Sequence, residues 1–276
     1  MNALQLKQFD DLRRGRINGM TEHAQHLRLR TNLERTLFTR VRTLIRKLGN
    51  SQAFLYREFG IFEPASAAQN MTEELFPLVS AHYRRTFLAI FELNNSFYRQ
   101  TKQANIFGRD VEIERLVADY FATRQVLLSN ISRRLTNQIM ATIERGRAEG
   151  LNLQQIARNV SKQFTSLSIS RAALIARTET HNAASHANHL YHGQAADDLG
   201  ITMMKTWVST SDARTRPEHR AANGQTVGMD EPFILSHPKL GQVEMQYVAD
   251  PAGGAYHSVN CRCVVVYADE RDVVTT

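Results

Sequence analysis

Apolar residues recurring three and four positions apart dominate the first 150 residues, and that period suits helices far better than strands. Leu33, Leu37, Phe38, Val41, Leu44, Ile45 and Leu48 paint one stripe along a helix, and Gly49-Asn50 reads as its stop. Arg35, Arg40, Arg42, Arg46 and Lys47 fall outside that stripe. The helix is therefore amphipathic and basic, and these five residues form a candidate contact face for an acidic partner. A second helix is expected over about residues 71–103, with Leu75, Tyr83, Phe87, Ile90, Phe91 and Phe97 inward and Pro77 in its first turn or at a kink. A third is expected over about 110–147, opened by the Asp110 carboxylate. At about 1.5 Å per residue it would exceed roughly 50 Å, a length suited to a stalk or to a bundle with other subunits.

The 276 residues are 42% hydrophobic and 22% charged, which fits a folded chain and argues against wholesale disorder. The net charge of +7 is unevenly placed: residues 1–150 hold 23 Lys/Arg against 15 Asp/Glu, and the remainder 11 against 12. All the excess positive charge thus lies in the helical half. It suits attraction to phosphates or to an acidic protein surface. The basic residues are interleaved with apolar ones, so a solvated helix face fits equally well, and no recognisable nucleic-acid motif decides the matter. The N-terminus has no signal-peptide core, and no run of about 18 apolar residues occurs, which points to a protein made in the cytoplasm with no membrane segment. Two cysteines in one Cys-x-Cys unit are too few and too close for a secreted disulfide framework.

The pattern changes after Gly150. A short helix over 152–164, a polar linker over 165–170 and a helix over 171–199 ended by Gly200 are expected. Short strand-like runs follow at 203–208, 232–235, 243–248 and 262–267, separated by Gly, Pro, Asn and Asp. The fold class is α+β: an extended, mainly helical N-terminal region over 1–165, then a small α+β domain over 166–276 with short antiparallel strands.

The residues able to carry chemistry cluster in this second part. They run Arg177-Thr178-Glu179, Trp207, Asp212-x-Arg214-x-Arg216-x-x-His219, Asn223-Gly224 and His257-x-x-Asn260-Cys261-Arg262-Cys263. Trp207 would anchor a small core, and Asp212 would open a turn and cap a short helix carrying His219. Arg177, Arg214, Arg216 and Arg262 need partners or solvent, and Glu179 and Asp212 match a guanidinium fork. With Trp207 and Asn260 these residues form a candidate structural latch. Two sharper readings stand beside it. Cys261, Cys263 and His219 could bind zinc, with His257 or Asp212 as the fourth ligand, although Cys-x-Cys lacks the two-to-four-residue gap of common zinc motifs. Alternatively, His219 and His257 could act as an acid–base pair with Arg262 or Arg216 holding a phosphate, as in a nuclease. His181, His186, His189 and His192 spread loosely along one helical side and read as a polar helix face. Phosphate-loop, His-Glu-x-x-His and Gly-x-Ser-x-Gly signatures are missing.

The order Arg-Thr-Glu, Trp, Asp-x-Arg-x-Arg-x-x-His, Asn-Gly, Asn-Cys-Arg-Cys resembles the phage Mu protein F-like, or head morphogenesis, domain family. The matching residues are Arg177, Thr178, Glu179, Trp207, Asp212, Arg214, Arg216, His219, Gly224, Pro251, Asn260, Cys261, Arg262 and Cys263, within about the last 105 residues. The stretch between Gly224 and Asn260 is longer than a minimal domain of this kind would need. The resemblance implies a minor capsid protein of a tailed bacteriophage, present in the virion at the head interior or portal vertex in a few copies. It would contact the portal protein, the major capsid protein or both, and packaged double-stranded DNA is a further candidate partner in packaging or delivery. The expectation is a non-enzymatic protein without an appended toxin module. A virion-carried nuclease using His219 and His257 and a DNA-binding accessory protein are the alternatives.

Overall fold

The computed structural model describes residues 22–100, 110–210, 212–239 and 241–272. Four long helices come first: α1 (Glu22–Phe59), α2 (Pro64–Gln100), α3 (Asp110–Ala148) and α4 (Leu153–Leu199). A small mixed region follows, with β1 (Met203–Val208), α5 (Pro217–Ala221), β2 (Thr226–Gly228), β3 (Phe233–His237), β4 (Gly241–Met245), α6 (Gly254–Ser258) and β5 (Val264–Asp269). The expected fold class, long helices followed by a small domain of short antiparallel strands, is what the chain adopts. Residues 101–103, expected to close the second helix, and the Asp110 side chain, expected to open the third, lie outside the described residues. No helix among the described residues is long and apolar enough to cross a membrane.

The chain forms two compact units. One takes Leu33–Tyr83 and Leu116–Glu179; the other gathers the described residues before 33, those within 84–115 and those from 180 onward. In the helical unit the predicted stripe is the core: Leu37, Val41, Ile45 and Leu48 of α1 are buried, as are Met71, Leu75, Val79 and Tyr83 of α2. The strict four-residue spacing on α2 keeps its apolar side chains in one row. Leu128, Leu135, Ile139 and Ile143 of α3 and Ile156, Val160 and Phe164 of α4 supply the remaining faces.

Three expectations fail here for physical reasons. Gly49 does not end α1. A Cβ at that position would lie 2.3 Å from Cβ of Phe164, so the glycine lets α4 approach α1 closely. Residues 165–170 are not a linker, because α4 runs unbroken through them, and the expected 165/166 boundary falls inside that helix. The hydroxyls of Thr165 and Ser168 donate to the carbonyls of Ser161 (2.9 Å) and Thr165 (2.9 Å), satisfying themselves within the helix. Pro77 lies in the interior of α2 rather than its first turn. It occupies an exposed position, where water can reach the carbonyl left without a donor.

Other boundaries follow their signals. Gly150 has φ of +70° and closes α3 as the Leu151 amide donates to Gly146 O at 2.9 Å. Asn152 and Gln155 then cap α4 reciprocally, each side chain accepting from the other's amide at 3.0 and 2.9 Å.

In the second unit β1 sits between β2 and β5, both antiparallel to it, with Trp207 opposite Val265; β3 and β4 form a separate hairpin with Phe233 opposite Met245. Met203, Lys205 and Trp207 alternate inward along β1. Trp207, Phe233, Leu235, Met245, Val248, Cys261 and Cys263 belong to the core of this unit. The long stretch between Gly224 and Asn260 is thus the β3–β4 hairpin and α6.

Replacing Gly49 by Ala tests the α1–α4 approach. Alanine in a helix interior normally gains about 1 kcal/mol over glycine. Here denaturant unfolding is expected to show a loss of about 1–3 kcal/mol from overpacking against Phe164.

Candidate metal centre

The Cys-x-Cys unit gains its meaning from backbone geometry. Asn260 takes the left-handed conformation (φ +57°), which asparagine tolerates, and turns the chain out of α6. Residues 261–263 then lead into β5, with Cys261 and Cys263 buried and Arg262 half-buried between them. A single-residue gap therefore brings two thiols to one face.

His219 meets them from α5, whose first position is Pro217. Its Nδ1 lies 3.6 Å from Cys261 Sγ and 3.5 Å from Cys263 Sγ. Its Nε2 lies 3.0 Å from His257 Nδ1 on α6, the two rings within 8° of parallel. Trp207 packs edge-on against the His219 ring at 5.3 Å. Donor atoms of His219, Cys261 and Cys263 all lie within 4.8 Å of one another, and so do those of Glu218, His219 and His257. All five residues are buried.

A further histidine belongs here. His181 of α4 is 2% exposed, and neither ring nitrogen makes a well-formed hydrogen bond. It interacts with the Cys261 thiol. The reading of His181 as part of a polar helix face missed this. Its signal was its place two residues after Glu179, at the end of a sequence stretch already singled out.

Electrostatics divides the thiols. The Cys263 thiol beside it, together with His181 and His219, holds Cys261 well below the ordinary thiol range against the opposing effect of burial. Cys263 is pushed up by its contact with Cys261 and by burial. Burial lowers His257 and His181, favouring neutral rings.

The latch residues divide among separate contacts. Arg262 grips Asp212 through both guanidinium nitrogens, at 2.5 and 2.7 Å, and this pairing holds the Asp212 carboxyl well below the usual carboxylate range. Asp212 also accepts from the Arg214 amide at 3.0 Å. It shapes the turn before α5 but does not cap that helix, whose N-cap is Arg216 without a side-chain cap. Engaged by Arg262, Asp212 does not join the thiols. Arg216 donates to Val259 O at 2.8 Å and lies over the Tyr256 ring. Arg214 is largely exposed and 3.9 Å from Asp212.

Arg177 and Glu179 do not pair with each other. Arg177 lies 3.5 Å from Glu34. Glu179 is buried in the helical unit, where it accepts from Arg124 at 2.9 and 3.2 Å and from the Tyr83 hydroxyl. Burial lowers the Arg124 pKa, but Glu179, Tyr120 and Tyr83 together outweigh it and raise it. Nothing in the sequence pattern of α3 marked Arg124 as an inward residue.

The remaining histidines of α4 are not a polar face. His189 stacks on Tyr247 at 5.1 Å, and His192 stacks on Tyr267 at 4.3 Å. His186 packs against Tyr247 and Phe87. Of the basic residues on α1, Arg35, Arg40 and Arg46 are exposed, Arg42 is half-buried and Lys47 pairs with Glu74 at 2.7 Å.

Comparison with known proteins places these features in a wider group. The model of the family described as Phage Mu protein F like protein matches residues 137–266. That stretch starts upstream of the expected last 105 residues and takes in the end of α3, all of α4 and every residue of the thiol and imidazole cluster. The chain is similar to the minor head protein GP7 of Bacillus phage SPP1, 31% identical over 141 residues, 50% of this chain and 42% of that protein. It is also similar to the NAD(+)–arginine ADP-ribosyltransferase EFV of Enterococcus faecalis, 31% identical over 163 residues, 59% of this chain and 30% of that protein. The chain thus spans less than half the length of either relative. No solved structure matches significantly.

The packed histidines set a pH dependence. Burial lowers His186 to about 4 and His189 to about 3, against about 6.5 in an unfolded chain. Native rings stay neutral while unfolded ones take up protons below about 6.5, so stability is full above that pH and falls as pH drops toward 4 and 3. The expected slope approaches about 1.4 kcal/mol per pH unit for each ring. Urea unfolding between pH 7 and 5 should show this loss, and His189→Gln should flatten it; an unchanged slope would contradict the assignment.

Proposed function

We propose that this chain, Phage Mu protein F-like over residues 137–266, is a structural component of a tailed-bacteriophage head that acts in head morphogenesis. The carrying observation is where the matched region places its polar and sulfur-bearing residues. The family match covers Trp207, Asp212, His219 and the Cys261–Cys263 unit; Trp207, His219 and both cysteines are buried in the core of the second unit. His219 and His257 are 1% and 3% exposed. A residue packed in this way supports an architecture more readily than it meets a substrate.

The finer reading assigns the helical region to contact with the portal or the inner capsid surface, close to packaged DNA. Its support is the basic surface of α1. Arg35 and Arg46 lie eleven residues apart on one side of the helix, Arg40 lies on another, and all three are exposed. Exposed guanidinium groups with no apolar cover suit phosphates or acidic side chains.

An enzymatic reading keeps one specific observation, the 3.0 Å contact between His219 and His257 beside Glu218. Burial of all three argues against it, since a phosphodiester must reach the imidazoles for acid–base chemistry.

Co-expression with the portal and major capsid proteins of the same genome, followed by density-gradient sedimentation, tests the proposal. The chain is expected to travel with assembled particles; its remaining wholly in the free-protein fraction would overturn the head assignment. DNA contact is a separate measurement. The triple variant R35Q/R40Q/R46Q should reduce the magnitude of the log–log salt slope of double-stranded DNA binding by up to about 3, at about 0.9 per phosphate contact. An unchanged slope would remove α1 from the DNA-contact reading.

A further inference from the structure

We infer that Cys261, Cys263, His219 and His181 form a closed tetrahedral site for one zinc ion, which ties α4 to the strand-bearing part of the same unit. Two thiols and two imidazoles are a donor set that favours zinc over the hard cations. Zinc–sulfur bonds of about 2.3 Å and zinc–nitrogen bonds of about 2.0–2.1 Å, set at tetrahedral angles, place a nitrogen and a sulfur ligand about 3.6 Å apart. His219 Nδ1 lies 3.6 and 3.5 Å from the two sulfurs. Both nitrogen–sulfur edges already stand at zinc-tetrahedron lengths, and the two sulfurs lie within 4.8 Å of each other.

The fourth corner distinguishes His181 from the other candidates. His257 meets the opposite nitrogen of His219, so it cannot share a metal bound at Nδ1. It would instead accept a hydrogen bond from Nε2–H, favouring the tautomer that leaves Nδ1 free to coordinate; this is the outer partner that zinc-bound imidazoles commonly have. Both oxygens of Asp212 are taken by Arg262. His181 is buried beside Cys261 without a well-formed hydrogen bond at either nitrogen; the other three donors lie within 4.8 Å of one another, and a rotation of the His181 ring toward them would complete the tetrahedron. Arg262 pairs with Asp212, so its charge does not compete with a cation among the sulfurs. Zinc would bind both sulfurs as thiolates, their protons leaving to solvent. Four buried protein ligands leave no open coordination position, which makes the site structural rather than catalytic.

The inference is independent of the head assignment: a folded, metal-free chain that still entered heads would refute the site alone. The full-length chain, expressed with zinc and freed of loosely held metal by gel filtration, is expected to retain one zinc per chain by elemental analysis. Exchange with Co(II) should give visible tetrahedral bands and thiolate charge transfer in the near ultraviolet. His181→Ala is expected to weaken metal binding by more than about 100-fold, while His257→Ala keeps the stoichiometry and weakens it by about 10- to 100-fold, the range for an outer partner. Should His181→Ala fail to fold, His181→Cys retains four donors and is expected to keep the metal and raise the thiolate charge-transfer intensity by about half, three sulfurs replacing two. A cooperatively folded wild-type chain without zinc, a Cys261–Cys263 disulfide in the fresh protein, His181→Ala binding metal as tightly as wild type, or His181→Cys without the added charge transfer would overturn the site.

Discussion

The imidazole of His219 is the point on which the second unit depends. One nitrogen faces two thiols at 3.5 and 3.6 Å, and the other meets His257 at 3.0 Å. A neutral imidazole has one donor and one acceptor nitrogen, so placing unlike partners on its two sides fixes both its tautomer and its orientation. The surrounding elements are arranged to hold that ring. Pro217 starts α5, Trp207 of β1 closes one edge, the left-handed Asn260 delivers the cysteines, and α6 delivers His257. Outside this core, Arg262 and Arg216 tie the cysteine segment and the turn after α6 to the chain around α5.

The helical unit has a polar centre of its own in Arg124, Glu179 and Tyr83. A buried ion pair of this kind adds little net stability compared with apolar packing, but losing one partner leaves an uncompensated charge. Its effect is to favour one relative register of α2, α3 and α4 over alternatives. Glu179 and His181 stand two residues apart on α4, yet one belongs to this centre and the other to the cysteine cluster. A single helix thus carries fixed polar contacts in both units.

Much of this was legible in the sequence wherever one local signal determined the outcome. The apolar rows of α1 to α3, the stop at Gly150 and the strand at 203–208 follow from period and capping alone. Signals that depended on a distant partner were misread. Gly49 is a close-approach residue only because Phe164 faces it, and the hydroxyl run at 165–170 is helical because its side chains bond backward to carbonyls. The site was partly visible: His219, Cys261 and Cys263 do converge. The one-residue gap of Cys-x-Cys still brings both thiols beside His219, because Cys261 and Cys263 are buried while Arg262 between them pairs with Asp212. His181 was hidden among the other histidines of α4, three of which pack on aromatic rings, and only tertiary contact separates it from them.

X-ray absorption at the zinc edge of the purified full-length chain tests most directly whether zinc organises the His219 cluster. The expected result is four-coordinate zinc with two sulfurs at about 2.3 Å and two imidazole nitrogens at about 2.0–2.1 Å. A first shell of nitrogen and oxygen without sulfur would contradict it.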